Sequence, residues 1–236
     1  MKTTLSLLRG TVFAALLLRR VMAALLVLAI AAPALGQGWM EYTSKADLFR
    51  VNFPGEPTLK EIRYTSAFDA TYPGRVYSYE SGASRYSATV VDFRDAERIH
   101  TERMKNCPPG AQSLCLGSEA DGAQGVGSWK YDLHAAVDFA TWQLTTREAR
   151  LTYIAWAAID RIGGRQLHFT NPDRSRTFAA IHMHENRLYV FEATVPAGAP
   201  EPGLFQQSPR FLLEDGTVAR YDTIYTNGYP PPPRAR

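Results

Sequence analysis

The clearest hydrophobic alternation in the chain is Leu48-Phe49-Arg50-Val51-Asn52-Phe53, which predicts a half-buried strand, stopped by Pro54-Gly55-Glu56-Pro57. Strand patterns follow at Leu59–Thr65, Arg75–Ser81 and Arg85–Phe93, the second preceded by the turn signal Tyr72-Pro73-Gly74 and the third by Gly82-Ala83-Ser84. The period then changes. Asp95 is placed to cap a short charged helix over about Ala96–Asn106. A longer helix is predicted over Trp129–Thr145, where Leu133, Ala136, Val137, Ala140 and Leu144 recur on one stripe that should pack on a sheet. Strands return at Leu151–Ile162, broken by Gly163-Gly164, and at Arg165–Thr170, Thr177–His184 and Arg187–Val195. The last three are joined by a loop containing Asn171-Pro172-Asp173 and by Glu185-Asn186. A short helix is expected within Pro200–Ser208 and a last strand over Val218–Tyr225, after the Asp215-Gly216 turn.

Strands, then helices, then hairpin strands predict an α+β domain, a central antiparallel sheet with helices packed on it. Its expected span is residues 37–228, and the Pro-rich tail 229–236 cannot pair in a sheet.

Residues 1–36 read as a secretory signal: Arg19-Arg20 precede an apolar run over residues 21–32, and small residues at Ala34 and Gly36 precede Gln37. The apolar run is too short to cross a bilayer. The leader predicts a periplasmic or secreted protein that does not span the membrane after cleavage, by either the general or the twin-arginine route. It also changes the meaning of the charge. The whole chain of 236 residues carries +3, but Lys2, Arg9, Arg19 and Arg20 all lie in the leader, and the remaining 200 residues hold 22 basic against 23 acidic side chains. A near-neutral domain is a poor phosphate binder, which argues against a nucleic-acid partner. Cys107 and Cys115 flank a Pro108-Pro109-Gly110 turn, and in an oxidising compartment they are expected to form a local disulfide.

The segment Phe49-Arg50-Val51-Asn52-Phe53-Pro54-Gly55-Glu56-Pro57 resembles the F-x-V-x-F-P-G-x-P start of exported bacterial proteins related to the PsbP-like fold. The stretch from Gly164 to Tyr189 and the segment Phe205-Gln206-Gln207-Ser208 look similar too, so the touch points span most of residues 45–226. The resemblance implies an α/β/α sandwich around the antiparallel sheet. It carries over no catalytic residue, because proteins resembling this fold serve in photosystem assembly, nuclear transport and envelopes without a shared chemistry.

Candidate chemistry is sparse. His182 and His184 lie two apart on a strand and so share a face, and the odd-numbered apolar positions of both strands put His168 on that face as well. Three histidines on one face are a potential zinc or copper site, although the hairpin places His168 diagonal to His182. His134 and Asp138 are four apart on the polar face of the long helix, within reach of each other. The glycine-rich run Gly122-Ala123-Gln124-Gly125-Val126-Gly127 follows no strand and reads as a loop, and Ser208 reads as a helix-end or turn serine. The sequence holds no nucleophile elbow, no zinc-protease helix, no P-loop and no dinucleotide fingerprint. Tyr64, Tyr72, Tyr77, Tyr79 and Tyr86 crowd the first sheet region and Tyr221, Tyr225 and Tyr229 the last, suiting either a recognition surface or the pleated face of a sheet.

The expected function is therefore that of a non-enzymatic binding or accessory module for a protein or small ligand, with no cofactor. The alternatives are a metal-binding protein or metalloenzyme using His182 and His184 with His168, and a hydrolase whose site is assembled from scattered residues.

Overall fold

The computed structural model describes residues 38–106, 127–225 and 227. Alternation decides the first layer. Phe49, Val51 and Phe53 of β2 (Phe49–Phe53) are fully buried while Arg50 and Asn52 between them are not, as the period of a strand with one apolar face requires. β2 pairs antiparallel with β1 (Met40–Ser44) and with the two-residue β10 (Arg210–Phe211), forming a small sheet of order β1-β2-β10. Each of those buried β2 side chains contributes about 1.5–3 kcal/mol of apolar burial.

The large sheet has seven strands, all antiparallel, in the order β3-β4-β5-β9-β8-β7-β6. They are β3 (Thr58–Thr65), β4 (Thr71–Ser81), β5 (Ser84–Asp92), β6 (Arg150–Ile159), β7 (Ile162–Thr170), β8 (Arg176–His184) and β9 (Arg187–Val195). Its centre, β8 and β9, is buried on both faces, which is why these segments read as nearly continuous apolar runs. Leu188 and Val190 point to one face, where they pack with Leu133, Ala136, Ala140 and Leu144 of α2 (Gly127–Thr145). α1 (Ala96–Lys105) adds Ala96 to that core. Tyr189, Phe191 and Ala193 point to the other face, where they meet Phe49, Val51 and Phe53 of the small sheet, Phe205 of α3 (Gly203–Gln206) and Phe211 of β10. The protein is thus α+β with a dominant antiparallel sheet. The two faces of that sheet are covered differently: α1 and α2 on one, a small sheet with a four-residue helix on the other. Among the described residues no helix is long and apolar enough to cross a membrane.

Three local expectations are corrected. Tyr72-Pro73-Gly74 is not a turn but lies inside β4; the chain reverses at Ser66–Ala70, where Ser66 and Ala70 are hydrogen bonded across the loop. Pro73 is tolerated because the β5 pairing stops at Gly74, so β4 is paired there only with β3. Gly163-Gly164 does not break the strands either. The hairpin turns at Asp160-Arg161, both with positive φ (49° and 66°), and the two glycines belong to β7. Finally, Val218–Tyr225 is not a strand. It makes isolated bridges, among them Val218 to Leu212 and Tyr225 to Ile162, and Tyr221 and Tyr225 are drawn into the core.

Candidate functional site

β8 places His182 and His184 on the face covered by the small sheet, and both are fully buried. Residue 164, directly across from His182, has to be glycine: a methyl there would collide with the Ile181 carbonyl and with the His182 ring. The ring therefore lies against the β7 backbone, its Nδ1 3.0 Å from the carbonyl oxygen of Ile162. A carbonyl only accepts, so Nδ1 carries the proton and Nε2 keeps its lone pair. Burial outweighs these backbone contacts and lowers the imidazole pKa from 6.5 to about 4, so the ring is neutral near pH 7. Among the described residues no group hydrogen bonds to Nε2.

His182 is one of the residues lining a cavity of about 540 Å³ bounded by α3, β10, the turn end of β6 and the middle of β7, β8 and β9. Phe178, Phe191 and Phe205 give it aromatic walls, and Gln166, Gln206 and Gln207 supply neutral polar groups. The charged groups at the rim offset one another. Arg210 Nε stands 3.5 Å from Asp160 Oδ2, and Glu201 is 4.0 Å from Arg176. Such a site suits an uncharged guest with a flat apolar part.

The other histidines are differently occupied. His184 Nε2 lies 2.6 Å from the Tyr221 hydroxyl, with the ring packed against Phe211 and Tyr225. His168 shares the predicted face but pairs with Phe178, four residues from His182 along β8 and so roughly 13 Å away. It is sandwiched between Tyr153 and Phe178, and burial lowers its pKa. The three histidines do not converge, and among the described residues no group of three His, Cys, Asp or Glu side chains is arranged to hold a metal ion.

His134 and Asp138 are both exposed, and Asp138 accepts instead from Arg165 at 3.1 Å. The Ser208 hydroxyl accepts from the Asn52 backbone N–H at 2.8 Å and donates to the Phe205 carbonyl, stapling the end of α3 to β2, as a helix-end serine does. Cys107, Cys115, residues 122–126 of the glycine-rich run and Tyr229 lie outside the described residues, and Gly127 opens α2.

Five of the eight tyrosines singled out by the sequence are core residues and not surface, Tyr72, Tyr77, Tyr86, Tyr221 and Tyr225, while Tyr64 and Tyr79 are half-buried. The hydroxyls of Tyr72, Tyr77, Tyr221 and Tyr225 find internal partners, which lets so polar a set be buried. Tyr77 donates to Asp47 at 2.5 Å, and the buried Asp47 carboxylate also holds the Arg75 guanidinium.

One buried cluster escaped the sequence. Asp132 sits one position off the apolar stripe of α2 and is fully buried. Its Oδ2 receives Ser66 Oγ at 2.7 Å, Tyr72 OH at 2.8 Å and His100 Nε2 at 2.9 Å. Burial, then the neighbouring carboxylate, pushes the Tyr72 pKa far above its usual value. Serine, histidine and aspartate meet here, but the Ser66 proton is committed to the carboxylate and not to a ring nitrogen. That geometry ties the β3–β4 turn and α1 to α2, and does not activate a nucleophile. An aspartate within about one helical step of an apolar stripe was the signal that could have revealed it.

No protein-family model and no curated protein matches the chain. Among solved structures it is similar to cyanobacterial PsbP from Synechocystis sp. PCC 6803, at 12% identity and a TM-score of 0.35, covering 69% of this chain and 82% of that one.

Proposed function

We propose that this protein is an exported, non-enzymatic binding module that takes a small uncharged ligand in the cavity beside His182. The observation that carries this reading is the cavity itself, with aromatic walls and neutral polar groups, lined in part by His182, a buried neutral imidazole whose Nε2 has no hydrogen-bond partner among the described residues. A buried acceptor left without a donor costs free energy that a guest hydroxyl or N–H recovers. A conjugate-acid pKa near 4 also makes His182 a weak base at neutral pH, favouring binding over proton transfer. Export rests on the leader pattern of residues 1–36, and the Cys107–Cys115 disulfide belongs to the same proposal.

A thermal-shift screen with phenols, indoles, purine nucleosides and, as charged controls, aromatic carboxylates tests it. At a hundredfold excess over Kd, a guest bound only by the folded state adds about 2.7 kcal/mol, raising Tm by roughly 5 °C or more for a domain of this size. The expected result is such a rise for an uncharged class and its loss in Ala180→Trp, which fills the cavity. No shift from any uncharged class contradicts the proposal.

A further inference from the structure

β6 is the last strand of the seven-stranded sheet, and no strand among the described residues pairs with its outer edge. Exposed edges in soluble proteins are normally blunted by lysine, proline or an inward-pointing charge. β6 has none of these between Leu151 and Ile159, only a bulge near its start at Leu151/Tyr153. It exposes Leu151 (38%), Tyr153 (46%), Ile154 (49%) and Trp156 (57%). A long apolar edge of this kind is a template for another strand.

The backbone fixes which residues are available. Ile159 and Ile162 close the two-residue hairpin, so they exchange both hydrogen bonds, and by alternation Ala157 and Ala155 also turn their amides toward β7. Ile154, Trp156 and Ala158 turn theirs outward. An incoming antiparallel strand must bond to these even-numbered positions.

We propose that the occupant of this edge is β6 of a second copy of the chain, paired antiparallel about a twofold axis at Ala155. In that register Ile154 and Trp156 are the hydrogen-bonded partners across the seam, and the regular pairing ends at Thr152, the extra residue of the bulge. Three features of the sequence complement themselves there. Ile154 of each copy sits beside Trp156 of the other on one sheet face, an aromatic and β-branched pair repeated twice. On the opposite face Tyr153 lies against Ala157, with the small Ala155 at the axis, so the bulky ring has room. Arg150 at the start of each strand comes to the end where Asp160 of the other lies, beside the Arg210 that Asp160 already faces. A parallel arrangement would put like charges together. The pairing is isologous and closed, and makes one continuous sheet from the two large sheets.

The mass of the purified full-length protein, measured by light scattering across a concentration series, tests this together with Ile154→Lys/Trp156→Lys and a control, Trp142→Lys, at an equally exposed tryptophan on α2. The expected result is a dimer for the wild type and the control and a monomer for the double variant, with circular dichroism unchanged. A second measurement reads the register without depending on a destabilised fold. Ala155→Cys places two thiols at a non-hydrogen-bonded pair, where Cα atoms lie about 4.5 Å apart and a disulfide closes readily. Ala158→Cys places them about 20 Å apart. Oxidation should give a covalent dimer for the first and not for the second, relative to the wild type treated alike. A monomeric wild type at high concentration overturns the proposal. So does a dimer that survives the double lysine variant, open-ended association, or equal cross-linking at both positions.

Discussion

His182 makes stability depend on pH in a way that can be worked out from its surroundings. Burial holds the folded-state pKa near 4, against 6.5 for a free imidazole. Between those values the unfolded chain binds a proton that the folded chain refuses, so stability is fully present above about pH 7 and falls as the pH drops toward 4. Taking those two pKa values, the loss from this one group between pH 7 and pH 4.5 is about 2–3 kcal/mol, a roughly sixtyfold change in the folding constant. His182→Gln removes the titration while keeping a polar side chain of similar volume. Urea unfolding of both proteins at half-unit steps from pH 7.5 to 4.5 should show the stability difference between them shrinking by that amount as the pH falls, since other titrating groups are common to both. Profiles that stay parallel to within about 0.5 kcal/mol would refute the reasoning, and would mean that the ring is hydrated or free to leave its pocket.

Two further substitutions test the packing around the site. Gly164→Ala should cost on the order of 2 kcal/mol in urea unfolding, because its methyl meets the Ile181 carbonyl and the His182 ring; a cost below about 0.5 kcal/mol would show that the ring gives way freely. Asp132→Ala should destabilise by about 3 kcal/mol, since it strands three buried donors at once, whereas a neutral outcome would show that water replaces the carboxylate.

Much of the architecture was legible because the period of two is written strongly in β2 and β5, β8 and β9 stand out as nearly continuous apolar runs, and the apolar stripe of α2 is equally plain. The errors cluster where local composition competes with tertiary context. Tyr72-Pro73-Gly74 and Gly163-Gly164 look like turns by residue type, yet Pro73 sits just beyond the last β4–β5 pair and Gly164 is demanded by the histidine across from it. The real reversal, Asp160-Arg161, carries no glycine, so its positive φ values left no mark in the sequence.

The histidine face was readable from parity, but its burial was not. Alternation says which side chains share a face and is silent on what lies above it, and here that is the small sheet contributed by distant parts of the chain. The same reason explains the tyrosines, whose hydroxyls are satisfied by partners far along the chain, as when Tyr189 donates to the Asp47 carbonyl. The cavity could not have been read at all, since its walls come from β6 to β9, α3 and β10 together.

The proposed function stands or falls on whether a guest in that cavity reaches the unprotonated Nε2 of His182. Long-range proton–nitrogen correlation spectra of the histidine rings, recorded at pH 7 with and without whichever probe raises Tm in the screen, test it directly. The expected result is a neutral His182 protonated on Nδ1, whose Nε2 resonance moves when the probe is added and stays still in Ala180→Trp. A ring protonated on Nε2, or an Nε2 resonance unmoved by a probe that stabilises the protein, would contradict it.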